Sequence, residues 1–122
     1  MKKLKIYVAT PVNGRQEATL KEKREAAYKR VKEMSELIRR KHPDAELHSS
    51  FDDDISPIGG VVWSEAGIMG LCVMRVMECD MVVMDSGWQV SRGCTVESFV
   101  AIQYGKNVLP IEWYLAQENE NK

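Results

Sequence analysis

A chain of 122 residues, 44% apolar and 29% charged, has the size and balance of one ordinary globular domain spanning 1–122 around one core. Its 17 basic and 18 acidic residues leave a net charge of −1, without the basic excess that marks a nucleic-acid binder. No apolar run is long enough for a bilayer span or a signal peptide, so a cytoplasmic protein with no nucleic-acid and no membrane partner is expected. Cys72, Cys79 and Cys94 are an odd number with no neighbouring histidine, which predicts reduced thiols and no zinc site.

Leu4–Ala9 (LKIYVA) is a β-branched and aromatic run that stops at Thr10–Pro11, which predicts a strand. Lys2, Lys3 and Lys5 flank it as a solvated edge, and Asn13–Gly14 marks a turn. From about Glu17 to Lys41, Leu20, Ala27, Val31, Met34 and Ile38 fall on one face of a long helix that Pro43 closes. Ala45–His48 is a weak second strand, and Ser49–Gly60 has the composition of a loop. A helix over about Ser64–Glu78 is apolar nearly all round, broken in its second half only by Arg75. Such a helix asks to be covered twice, by the sheet and by a partner subunit. Asp80–Asp85 (DMVVMD) predicts a central parallel strand, Ser86–Ser91 a turn, Gly93–Tyr104 a helix stopped by Gly105, and Asn107–Leu109 a last strand ended by Pro110. Trp113, Tyr114 and Leu115 form an aromatic tail that also wants burial, so a homo-oligomer, a dimer or larger, is expected.

Strands and helices in alternation predict an α/β fold with a parallel sheet and helices on both faces. Ligands then bind outside the carboxyl ends of the strands, where strand order reverses. Two loops matter most, Thr10–Arg15 and Asp85–Glu97. In the second, Ser91 and the first amides of the following helix offer an anion site, because their N–H groups have no intrahelical partner. Glu97 is placed in about the first turn, where the helix dipole favours the ionised form that a nucleophilic carboxylate needs.

The strand ending at Asp85, the GWxxSxGxxxE pattern from Gly87 to Glu97, and the start IYVATPVNGR together resemble the nucleoside 2-deoxyribosyltransferase superfamily, and most its small DUF4406 branch, in which an SRG step precedes the glutamate. The resemblance covers the two ends of the fold well and residues 42 to 68 poorly. It implies a three-layer flavodoxin-like fold with a four- to five-stranded sheet, and a glutamate that attacks the anomeric carbon of a 2-deoxyribosyl group. Carried over by position, Glu97 is the nucleophile and Ser91 and Gly93 hold sugar or 5′-phosphate oxygens. Asp85 lies beside the sugar, and Thr10, Pro11, Asn13 and Gly14 line the opposite wall. Neither a cofactor nor a metal is implied; the partner is a small-molecule nucleoside or nucleotide. One position departs from the pattern: where active members carry an aspartate on the preceding helix, this sequence has Cys72. A thiol is a poor proton donor, and general acid assistance is worth about 10²–10⁴ in rate.

Each residue also has a plain reading. Glu97 can stabilise a helix start, and Asp85 can open a turn. Arg15 and Arg92 suit a phosphate or a solvated surface, and Trp88 suits a stacked base or the rim of the core. Asp52–Asp54 read as a solvated loop, the methionines as core or interface, and His42 and His48 as nothing specific. Two functions from different classes follow. One is N-glycosidic bond processing through Glu97, by transfer or hydrolysis. The other is a non-catalytic nucleotide-binding or sensing module, favoured by Cys72. A response-regulator-like domain is a third, disfavoured because no acidic pair follows the first strand.

Overall fold

Strand β1 (Lys5–Ala9) buries every residue after Lys5, and β3 (Met81–Met84) buries all four of its residues. That is the signature of strands covered on both faces. The computed structural model, which describes residues 3–12, 19–52, 54–55 and 65–117, pairs the two in parallel from Ile6 opposite Met81 to Ala9 opposite Met84. Strand β2 (Glu46–His48) adds to the free edge of β1, and β4 (Asn107–Pro110) to that of β3. The sheet of the described residues is thus four-stranded and all parallel, in the order β2-β1-β3-β4. This is the flavodoxin-like order without a fifth strand, and it reverses between β1 and β3. Asn13, Gly14, Arg15 and Asp53, singled out in the sequence, lie outside the described residues.

Alternation along β1 and β3 sorts the core into two layers. Ile6, Val8, Met81 and Val83 face helices α1 (Leu20–Lys41) and α4 (Ile111–Ala116), meeting Val31, Met34, Ile38, Ile111 and Tyr114. Tyr7, Ala9, Val82 and Met84 face helices α2 (Glu65–Glu78) and α3 (Arg92–Gln103), meeting Val76, Cys94 and Ala101. The fold is therefore three-layered, as the resemblance implied. No described helix is long and apolar enough to cross a membrane.

Local signals explain the ends of these elements. Thr19 caps α1: its hydroxyl accepts from Glu22 N at 3.1 Å and donates to the Glu22 carboxylate at 2.9 Å, which satisfies an otherwise orphaned amide. Gly105 stops α3 with φ of 72°, a left-handed conformation that a Cβ would penalise, and Gly87 turns the chain after β3 with φ of 81°. Two details differ from the sequence reading. The turn after β3 contains a short 3-10 segment, Trp88–Val90. Pro110 ends β4 as its last residue, tolerated because β4 is an edge strand, and leads into α4, which replaces the expected tail. Tyr114 is buried in the chain's own core, its hydroxyl paired with His42 and its carbonyl accepting from Lys41, while Trp113 stays 69% exposed.

The acidic loop is also more than solvated. Arg75 of α2 binds both Asp52 and Asp54 and reaches Glu78 at 3.2 Å. His48, at the end of β2, places Nδ1 2.8 Å from Asp52 and Nε2 2.6 Å from Glu46. Asp52 Oδ2 accepts from both cations, which brings Arg75 Nη1 within 3.3 Å of His48 Nδ1. The cluster fastens the loop after β2 to both β2 and α2. With a carboxylate at each ring nitrogen, the imidazolium is the form the geometry suits. Burial by itself lowers the His48 pKa, but the hydrogen bonds from Glu46 and Asp52 outweigh it and raise the pKa above its usual value. The folded-state pKa being raised, the stabilisation is complete below the unfolded value of about 6.5 and fades as pH rises through the higher folded one. Thermal melts should therefore show wild type losing stability relative to His48→Phe as pH rises through this window; parallel curves would show that the cluster contributes nothing.

Candidate functional site

Strand order reverses between β1 and β3, the point at which parallel sheets of this kind form their ligand crevice, and the chain delivers candidate residues to both faces of the sheet there. Asp85 extends the ladder by donating its N–H to Ala9 O at 2.9 Å. By alternation with Met84 its side chain turns toward α1, where Arg30 Nε donates to Oδ1 at 2.9 Å and the Ser86 amide at 2.8 Å. Asp85 is 4% exposed, so this carboxylate is a buried charge with a guanidinium partner. Thr10 continues β1 on the same side, its hydroxyl 3.6 Å from Met34 Sδ of α1. Pro11 is buried beside it.

On the other side of the sheet lies Glu97. It is the sixth residue of α3, hence in the second turn rather than the first, and it is 5% exposed. Its partner is Tyr7 of β1, whose hydroxyl donates to Oε2. The sequence reading missed Tyr7, which looked like one more apolar strand residue; the signal was a phenol in the middle of a strand buried on both faces, where a hydroxyl must find a partner. Cys72 of α2, buried on the same side of the sheet, is the third member, close enough that it and Tyr7 perturb each other's acidity. The tyrosine proton is directed at Glu97.

The electrostatics here overturn one expectation. The helix start was expected to hold Glu97 ionised, yet burial pushes its pKa up to about 7, and the hydrogen bond from Tyr7 opposes this only in part. The helix dipole acts over the first turn, and Glu97 sits beyond it. Burial first, and the Glu97 charge second, hold the Tyr7 hydroxyl well above its ordinary value and push the Cys72 thiol up to about 11. Glu97 is thus the only one of the three that changes charge near neutral pH.

The start of α3 forms the rim. Ser91 is its cap: the hydroxyl accepts from Cys94 N at 3.3 Å and the carbonyl from Thr95 N at 3.0 Å. The side chain is 5% exposed, so its first task is structural. A Cβ at Gly93 would meet only Ser91 Oγ, at 3.9 Å, so protein packing alone does not demand glycine there. Arg92 is exposed on the first turn, and half-buried Trp88 packs against the Tyr7 layer of the core. The structure thus gathers Tyr7, Cys72 and Glu97 on one side of the sheet, with Thr10, Asp85 and Arg30 on the other. Among the described residues, no cluster of three or more His, Cys, Asp or Glu side chains is arranged to hold a metal ion.

A carboxyl group whose pKa rises from 4.5 to about 7 on folding destabilises the protein progressively as pH climbs between those values. At 1.36 kcal/mol per unit, the penalty levels off near 3 kcal/mol, an order of magnitude for a buried charge. Glu97→Gln should therefore be more stable than wild type at about pH 8, by about 1–3 kcal/mol in denaturant unfolding, with the gap closing toward pH 4.5. An equal loss of stability at both pH values would mean that the carboxyl group is an ordinary core contact.

No curated protein matches the chain. The profile of a family described as "Domain of unknown function (DUF4406)" matches residues 4–110, which takes in all four strands and both sides of the crevice, and the chain belongs to that family.

Proposed function

We propose that this protein binds a nucleoside or nucleotide at the carboxyl edge of its sheet and cleaves or transfers its N-glycosidic bond, with Glu97 as nucleophile. The observation that carries the reading is a nearly water-free glutamate, held by one tyrosine hydroxyl, with a pKa of about 7. Such a pKa lets the carboxylate form at neutral pH while sparing it the full hydration that blunts nucleophiles. Likeness to the nucleoside 2-deoxyribosyltransferase superfamily in the Ser91–Gly93–Glu97 spacing supports the same reading.

In this mechanism a Glu97 oxygen attacks the anomeric carbon as the carbon–nitrogen bond breaks and its electron pair leaves with the base. The oxocarbenium-like transition state collapses to a glycosyl ester, which water or a second base then displaces. Tyr7 fixes the attacking carboxylate and keeps its own proton. The start of α3, with Ser91, Arg92 and Gly93, receives sugar or 5′-phosphate oxygens. Thr10, Pro11 and the Asp85–Arg30 pair form the facing wall, and Trp88 closes the rim.

A second reading, a binding or sensing module without turnover, is favoured by one observation. The raised pKa values of Tyr7 and Cys72 lie far above neutral, which makes each a weak proton donor to the departing base.

Incubation with 2′-deoxynucleosides and their 5′-monophosphates, with and without an acceptor base, tests the choice by chromatography of released base. Release by wild type that Glu97→Ala abolishes is expected; binding without release from any substrate would establish the module instead. For the active protein, kcat/KM should rise about tenfold per pH unit and level off above about pH 7, because the carboxylate is the reactive form. Tyr7→Phe removes the hydrogen bond that lowers the Glu97 pKa, so its profile should be displaced to higher pH. A Tyr7→Phe profile that coincides with wild type would separate Tyr7 from the reacting carboxylate.

A further inference from the structure

Helix α1 and the edge strand β2 do not close fully on each other. Between them lies an open cavity of about 180 Å³, and it shares no lining residue with the crevice. A cavity of roughly 150 Å³ holds a benzene ring, so this one has room for a ring and a small head group. On α1, Tyr28, Val31, Ser35 and Arg39 recur at spacings of three and four and form one wall. Leu47 of β2 and Phe51 of the following loop belong to the other. The Tyr28 and Phe51 rings join the two walls, with centroids 5.4 Å apart and planes tilted by 60°. Together with Val31 and Leu47 they make an apolar bed.

The polar groups of the cavity are unequally committed. Asp52 accepts from Arg75, from His48 and from the Ser49 amide, and both ring nitrogens of His48 are taken by carboxylates. These two have little capacity left for a ligand, and Arg75 matches the charge of Asp52. The donors are in the opposite condition. Ser49 is 7% exposed and its hydroxyl accepts from the Phe51 amide at 3.1 Å, while its own proton has no acceptor among the described residues. A buried donor left in that state costs free energy until something accepts from it. Half-buried Ser35 and the exposed Arg39 guanidinium likewise have no side-chain partner among the described residues. Lys32 adds a second positive charge nearby, its Nζ 4.6 Å from the centroid of the Tyr28 ring. Unspent donors and positive charge beside an apolar bed are the recognition elements of an anion with an apolar body.

We infer that this cavity binds a small organic carboxylate. Arg39, Ser35 and Ser49 donate to its carboxylate, and Tyr28, Phe51, Val31 and Leu47 pack its apolar body. Inorganic phosphate would satisfy the donors but leave the apolar bed in water, so the cavity favours the organic acid. The inference does not rest on the reading of the crevice.

Titration of the isotope-labelled full chain with benzoate, phenylacetate and 2-methylpropanoate, followed by amide chemical shifts, tests it. At least one of the three should shift the Ser35, Leu47 and Ser49 amides saturably, and benzamide, which lacks the charge, should bind at least about tenfold more weakly than benzoate if benzoate is a ligand. Arg39→Gln should weaken the bound acid about tenfold or more, as expected for a charged hydrogen-bond partner, and Ser35→Ala should weaken it less. Saturation by none of the three acids overturns the inference, as does binding that both variants leave unchanged. Shifts confined to the Tyr7, Ser91 and Glu97 amides overturn it by placing the acid in the crevice. Inorganic phosphate that shifts the same amides at least as tightly as the acids overturns it too, because the apolar bed would then contribute nothing.

Discussion

The parallel pairing of β1 with β3 is the constraint on which the remaining structure rests. Both strands are covered on both faces, so each residue must commit to one layer, and the register leaves no freedom in which. A slip of one residue would send Tyr7 to the α1 layer and Ile6 to the α3 layer, exchanging a hydroxyl that needs a polar partner for one that has none. The same pairing creates the order reversal, because β2 leaves to one side of β1 and β3 to the other. Crevice and core therefore have one origin.

Within that frame the polar groups buried near the crevice are divided by charge balance. Asp85 is held by a guanidinium and accepts an amide hydrogen bond. Glu97 has only a phenol, a neutral donor, and its burial is correspondingly costly above neutral pH. Two acids on adjacent elements thus have different environments, and separated environments of this kind assign different chemical tasks to like side chains. A fold stabilised for its own sake would place glutamine or an apolar residue at position 97.

Much of the fold was legible because it follows from periodicity. Leu4–Ala9 and Asp80–Asp85 announce buried strands, the spacing of Ala27, Val31, Met34 and Ile38 announces one helix face, and Gly105 announces its stop. Helix α4 was not legible, since six residues are too short for a period to emerge and Pro110 argues locally for an end. The Arg75–Asp52–His48 cluster was not legible either: Arg75 lies 23 and 27 residues from Asp52 and His48, and nothing local pairs it with them.

For the candidate site, the sequence by itself determined which residues reach the carboxyl edge. Thr10 follows one buried strand, Asp85 ends another, and Ser91 and Glu97 belong to the helix that comes next. Only the tertiary structure decided how they are sorted. It turned Asp85 to Arg30 and away from Glu97, gave Ser91 to the helix cap, and brought Tyr7 to Glu97 across 90 residues of chain. It also set the charge state, raising the Glu97 pKa where helix position alone had suggested an ionised group. The physical reason is that strand and helix identity depend on local spacing, whereas burial and hydrogen-bond partners depend on which layers the sheet brings together.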